Sequence, residues 1–262
     1  MSGGPLVGRV AIVTGGARGL GRQIAEELRA AGATLVLGGR NLDVLAATAK
    51  ELDGTGARVL PVVCDVRDEA EVAGLAAAAR ERFGRIDVLV NNSGIAGPTV
   101  PLWESTPAEW RDTVETNLFG TYLCCRAVLP TMIEQRSGSV VLVGSATGKR
   151  PLGGRAAYAA SKTALIGLTR TLALETGPYG IRVNLVSPGA IDGDRLRGVL
   201  ETLAERRGVP VEEVRREATS GSPLGRLVQG PEVAKVVAFL AGDGAASITG
   251  EDVNASAGLV MY

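Results

Sequence analysis

The stretch RVAIVTGGARGLG, residues 9–21, decides how the chain folds. An unbroken apolar run from Val10 to Val13 ends at Thr14 and enters a turn holding Gly15, Gly16, Gly19 and Gly21. An amphipathic segment, Leu20 to Ala31, follows. A strand, a glycine turn and a helix in that order let the backbone reverse sharply. They also bring amide groups close to an anion at the helix start, where the helix dipole favours negative charge. The expected ligand is the pyrophosphate of a dinucleotide, held by Gly15, Arg18, Gly19, Leu20 and Gly21. The spacing departs from the commonest G-x-G-x-x-G fingerprint. A plain tight turn is the simpler reading in a chain with 36 glycines, and the flanking strand and helix weigh against it.

Outward from that turn, short β-branched runs alternate with longer amphipathic ones. The strand candidates are 9–14, 34–39, 58–66, 86–94, 139–145 and 181–189, with a short one at 252–256. Their near-continuous apolar character is that of strands covered on both faces. Helices are expected at Leu20–Ala31, Leu42–Leu52, Glu69–Phe83, Pro107–Glu134, Arg155–Thr176 and Pro231–Ala241. Asp68 with Glu71, and Thr106 with Pro107 and Glu109, are the start signals of two of these. The rhythm predicts an α/β fold: a Rossmann-type, doubly wound parallel sheet with helices on both faces, one domain over 1–262. Residues 192–225 form a polar insertion with helical pieces of its own, placed where such excursions cover or shape a site.

The 262 residues carry no net charge, and no run of like charges marks a nucleic-acid surface, so small molecules are the expected ligands. The opening MSGGPLVGRVAIVTGG lacks the cationic and apolar regions of a signal peptide, and no segment reads as a membrane span, so a cytoplasmic protein is expected. Cys64, Cys124 and Cys125 are read as buried thiols, because sequence neighbours such as Cys124 and Cys125 rarely meet disulfide geometry. Without histidine or a C-x-x-C pair, no metal site is expected.

The end of the second strand bears on the choice of dinucleotide. An acidic residue there would accept hydrogen bonds from the adenosine ribose and repel a 2′-phosphate. This chain instead has Gly38, Gly39 and Arg40, with Arg18 in the glycine turn. Two guanidinium forks favour NADP(H) over NAD(H), unless both are ordinary surface arginines. Further on, AAYAASKTAL, residues 156–165, places Tyr158 one helical turn before Lys162, one of only four lysines in the chain. Residues i and i+4 project together from a helix. A ketone reduction needs a proton donor at oxygen as hydride arrives at carbon. A neighbouring cation makes a phenol fit for that task by stabilising the phenolate.

TGGARGLG, NNSG at 91–94, Ser145 thirteen residues before Tyr158, YAASK at 158–162 and NLVSPG at 184–189 occur in the order and spacing of the short-chain dehydrogenase/reductase family. The chain resembles its single-domain NADP(H) members with an Asn-Ser-Tyr-Lys tetrad, of the 3-oxoacyl-carrier-protein-reductase kind. The resemblance implies that Tyr158 is the general acid/base, and that Lys162 supports it and bonds the nicotinamide ribose. It implies that Ser145 holds the substrate oxygen, and that Asn117 kinks its helix and supports a water on the proton path. It further implies that Asp65 bonds the adenine amino group and that Val66 gives its backbone to the ring. Asn91 and Gly94 would pack the cofactor floor, with Ser93 where the family has alanine. Pro188, Gly189 and Ile191 would receive the carboxamide.

Two segments depart from the family pattern. PGAIDGD has Gly193 where a threonine hydroxyl usually touches the cofactor, so Asp194 or a backbone amide is expected to substitute. The tail reads NASAG in place of VDGG, and Tyr262 is expected to be a packed terminal aromatic, the alternative being a substrate contact in a neighbouring subunit. The implied function is hydride transfer between NADP(H) and a ketone or secondary alcohol in a homotetramer or dimer. The alternatives are an NAD-dependent alcohol dehydrogenase of the same family and a non-catalytic dinucleotide-binding regulator. An epimerase or dehydratase would need a larger C-terminal domain. The insertion mixes Arg195, Arg197, Arg206 and Arg207 with Asp194, Glu201 and Glu205, and so names no substrate.

Overall fold

A computed structural model describes residues 4–262; the first three residues of the N-terminal stretch lie outside the described residues. Seven strands form one parallel sheet: β1 (Val10–Thr14), β2 (Thr34–Gly39), β3 (Val59–Val63), β4 (Val88–Asn91), β5 (Gly138–Val143), β6 (Ile181–Pro188) and β7 (Asp252–Ala255). Their order is β3-β2-β1-β4-β5-β6-β7. Successive residues of one strand feed opposite layers. Ala11 and Val13 of β1 join a core with Ile24 and Leu28 of α1 (Gly19–Ala30), Leu45 of α2 (Leu42–Leu52) and Val237 of α9 (Gly230–Ala241). Val10 and Ile12 join the other, with Val72 of α3 (Glu69–Phe83), Leu123 of α5 (Gly120–Gln135) and Leu165 of α6 (Ala156–Thr176). Burial on both faces explains why these strands read as continuous apolar runs.

Strand order reverses between β1 and β4, so the loops at their carboxyl ends part and leave a crevice. The expected start signals hold, with one change. Thr106 and Glu109 close a reciprocal capping box on α4 (Pro107–Val114), while Asp68 alone caps α3, accepting from the amides of Ala70 and Glu71. The Glu71 carboxylate goes instead to the amide of Asp65, 2.6 Å away.

The single helix expected over Pro107–Glu134 is three pieces: α4, a π-helical turn at Glu115–Phe119, and α5. The insertion folds as α7 (Asp194–Arg207) and α8 (Val211–Ser220), joined by a small core of Leu200, Ala204 and Val214. Arg206 of α7 ties it to Glu104, at 2.6 Å, in the segment that follows β4.

Candidate active site

At the carboxyl end of β1, Gly15 and Gly19 adopt φ of +63° and +51°, in the left-handed region that favours glycine. A Cβ on Gly21 would strike the carbonyl of Gly15 and the side-chain amide of Asn92, so α1 can pass this close to β1 only at a glycine. A Cβ on Gly19 would meet nothing within 4 Å, which leaves the mouth of the turn open. Arg18 occupies the N-cap of α1 without a side-chain cap, and no acidic residue lies in the first turn. The leading N–H groups of α1 therefore lack a side-chain acceptor, and a pyrophosphate would satisfy them. The residues present fit a dinucleotide. Leu20 packs back on the core and anchors the turn.

Arg18 and Arg40 are both exposed, and neither pairs with a carboxylate among the described residues. Both forks are available to a phosphate at this edge. Asp65 is more engaged than its expected role with adenine requires. Its carboxylate takes the Arg67 guanidinium at 2.6 Å, Arg67 continues to Asp112 at 2.7 Å, and these bonds hold the Asp65 carboxyl below its ordinary value. Val66 is buried and packs against Gly120, where an added Cβ would meet it at 2.7 Å.

Asn91 ends β4 on the face opposite to Val90, so its side chain is buried toward Cys125, 3.4 Å from the sulfur. The brace of the glycine turn is Asn92, which the sequence reading passed over. Its side-chain amide donates to the carbonyls of Thr14 and Gly15 at 3.0 and 3.3 Å. Thr14 Oγ1 accepts the amides of Asn92 and Ser93, both at 3.0 Å. The doubled asparagine was the available signal, since strand alternation sends only one of the two toward the turn.

Across the crevice, α6 carries Tyr158 half-buried and Lys162 buried on one face, the ammonium 5.9 Å from the ring centre. Lys162 Nζ donates to the carbonyl of Val143 at 2.8 Å and meets no carboxylate among the described residues. Burial, helped by the charge of Arg195, lowers this lysine to about 7. Asn117 lies in the π-helical turn, fully buried. Its Oδ1 accepts the amide of Ile95 at 2.8 Å, and its Nδ2 donates to the Ile95 carbonyl and to Ser161 Oγ, each at 3.1 Å. Ser161, also missed in the sequence, donates to the carbonyl of Tyr158 at 2.8 Å. A Cβ on Gly94 would sit 3.0 Å from Asn117 Oδ1 and 3.6 Å from Lys162 Nζ, so these three residues converge. Ser145, at the end of β5, accepts the amide of Thr147 at 3.1 Å, which leaves its hydroxyl proton free to donate.

The closing loop corrects an expectation. Gly189 donates to the carbonyl of Ala255 at 3.0 Å directly after Pro188, and Ile191 bridges to Val228, so this loop is pinned. Asp194 does not stand in for the missing threonine. Its side chain is 96% exposed and pairs with Arg197 one turn along α7. The residue that reaches inward is Arg195, whose Nη2 donates to the Gly94 carbonyl at 2.7 Å. The tail also differs. The Tyr262 ring is exposed, tethered by its hydroxyl to the Lys149 carbonyl at 3.3 Å, while Lys149 Nζ holds the Tyr262 carbonyl at the same distance.

The three thiols are free and buried, and burial pushes Cys64 and Cys125 up to about 12. The described residues hold no cluster of metal-ligating side chains and no helix long and apolar enough to cross a membrane.

Comparison with known proteins agrees with this geometry. A family model described as enoyl-(acyl carrier protein) reductase matches residues 15–260. The chain is 38% identical over 254 residues to the 3-oxoacyl-[acyl-carrier-protein] reductase FabG of Escherichia coli, covering 97% of this chain and 98% of that protein. It is also 38% identical to a putative ketoacyl reductase of Streptomyces coelicolor, over 97% of each. Among solved structures, levodione reductase superposes with a TM-score of 0.90 at 39% identity, covering 97% of this chain and 98% of that one. A variant of actinorhodin polyketide ketoreductase with NADPH gives 0.91 at 38%, with the same coverage.

Proposed function

The chain belongs to the short-chain dehydrogenase/reductase family, and from that premise we propose that it is an NADP(H)-dependent carbonyl reductase that turns a small ketone into a secondary alcohol. The observation that carries the reading is the convergence of Asn117, Gly94 and Lys162 beside Tyr158, across the crevice from an uncapped glycine turn.

When bound, NADPH supplies the hydride. Gly15, Gly19, Leu20 and Gly21 would hold its pyrophosphate at the start of α1, and Arg18 and Arg40 its 2′-phosphate. Asp65, Val66, the backbone of Asn91 and Gly94 would flank its adenosine and floor, with Pro188, Gly189 and Ile191 at the carboxamide end. The Ser145 hydroxyl donates to the substrate carbonyl, and Tyr158 passes its phenolic proton to the same oxygen as the carbon is reduced. The Lys162 ammonium, 5.9 Å from the ring centre, offsets the charge left on the phenol oxygen. Asn117 ties α6 to the loop after β4 through Ile95 and Ser161, so the phenol and the cofactor floor keep one spacing.

The insertion α7–α8 is read as the wall over the substrate. Assembly as a homotetramer, in the cytoplasm, belongs to the same proposal. The exposed ring pair of Phe119 and Tyr122, 5.6 Å apart at the start of α5, supports an interface there. A light-scattering mass near one subunit would overturn the tetramer. The reductase reading is tested by NADPH consumption across a panel of ketones, beside NADH and beside Tyr158→Phe. Turnover that prefers NADPH and collapses in the variant supports it. Equal or faster turnover with NADH would remove the role given to Arg18 and Arg40.

A further inference from the structure

Arg155 stands immediately before α6, three residues ahead of Tyr158, and folds back so that its guanidinium lies 4.6 Å from the centre of the phenol ring. It is 6% exposed. One nitrogen donates to Thr99 Oγ1 at 3.1 Å, and the rest of the guanidinium takes no protein acceptor among the described residues, its free N–H groups facing the open space beside the ring rather than the packed interior. Nor does any carboxylate pair with it there. Away from this site, buried charges find partners: Asp87 takes Arg85 at 2.7 Å, and Lys149 takes Asp252 at 2.8 Å. The charged neighbours felt by Arg155 are Tyr158 and Arg195, and burial with Arg195 drives the guanidinium below its ordinary value.

Holding a guanidinium this far out of water with no carboxylate beside it is costly. The cost is recovered if an anion arrives with the ligand, and a planar fork of N–H donors matches a carboxylate in particular. Arg195 adds a second positive charge on the same side, through its contact with Gly94. Because Arg155 lies over the Tyr158 ring, the space beside the phenol is also the space beside the guanidinium.

We propose that Arg155 receives a carboxylate carried by the substrate within a few bonds of the reacting carbonyl, so that the enzyme reduces a small oxo acid in preference to a neutral ketone or a thioester. The inference rests on the carbonyl-reductase reading and gives its substrate class. Arg155 is here a specificity-determining residue, with Thr99 as the hydroxyl that holds the fork in place.

The test compares pyruvate, acetoacetate and levulinate with their methyl esters in NADPH-dependent initial rates, for the wild-type enzyme, Arg155→Met, Arg155→Lys and Thr99→Val. The wild type should favour at least one acid over its ester in kcat/KM. Arg155→Met should cut that preference by roughly 10- to 100-fold, mostly through KM, which is the range of a charge-assisted hydrogen bond. Arg155→Lys should restore part of the preference, and Thr99→Val, which frees the fork but keeps its charge, should lower it by less than Arg155→Met does. Esters reduced as well as acids by the wild type, or acid and ester losing equally in Arg155→Met, would overturn the proposal.

Butyrate, which carries the carboxylate but no ketone, gives a readout without turnover when titrated calorimetrically into the enzyme with NADP+. Binding by the wild type that weakens in Arg155→Met, or in Arg155→Lys if the first variant does not fold, supports the role of Arg155 even if no ketone is reduced. In that case the reductase reading alone fails. Absence of butyrate binding, together with no preference for acids, overturns the inference while leaving reduction of neutral ketones intact.

Discussion

The two ends of the crevice are built by different means. The glycine turn is made of backbone: left-handed glycines, an uncapped helix start and the brace of Asn92, with arginines exposed at its edge. The opposite end is made of buried side chains, Lys162 and Arg155, brought around Tyr158 from α6 and its N-cap, with Arg195 reaching in from α7. Backbone dipoles cost little to leave facing solvent, so one end can wait open for a phosphate. Desolvated cations are costly until something negative joins them, so the other end is poised toward charge that forms or arrives during the reaction.

The largest test of this contrast is Tyr158→Phe, which should lower kcat by about 10²- to 10⁴-fold, the span of one general acid, while NADPH affinity by fluorescence titration stays within threefold or so. A parallel loss of affinity would mean that the two ends are not separable. Next comes pH. The unfolded chain keeps the Lys162 proton up to its ordinary value of 10.5, whereas the folded chain releases it near 7. Between these values the unfolded state binds the extra proton. Stability of the cofactor-free chain should therefore gain up to about 1.4 kcal/mol per pH unit from this group as pH rises through that window. Urea midpoints should show this slope in the wild type and lose it in Lys162→Met.

Arg40→Ser, at the exposed end, should raise the KM for NADPH by roughly 10- to 100-fold while moving that for NADH little, the range of one charge-assisted contact. The smallest effect is expected from Asn92→Ala, about 1 kcal/mol of stability in thermal unfolding from the loss of a brace on a turn that keeps its other bonds.

The contrast also separates what could be read in the chain from what could not. β2, α2 and α3 lie where periodicity and caps placed them, because their signals are local. The glycine turn was legible for the same reason, and Tyr158 with Lys162 because a helix fixes their relation. The break at Asn117 was legible only through the resemblance, which puts a kink there; its residues otherwise continue an ordinary helical pattern, and the turn is stabilised by Asn117 bonding to Ile95, a partner 22 positions away. The choice between Asn91 and Asn92 depended on where β4 ends. Arg155 carries no local mark of burial, and its place over Tyr158, like the reach of Arg195 to Gly94, follows from where a cap residue and the start of α7 come to rest.

The buried cysteines have a practical consequence. Cys64 sits just past β3, while Cys124 and Cys125 sit mid-way along α5 in the layer on one side of the sheet. All are held as protonated thiols by burial. An alkylating reagent can reach them only when that layer opens, so the rate of labelling, followed by mass spectrometry, is a native stopwatch for breathing of the fold. Run with and without cofactor, it would time how tightly an occupied crevice clamps the layer behind it, with no engineered probe in the chain.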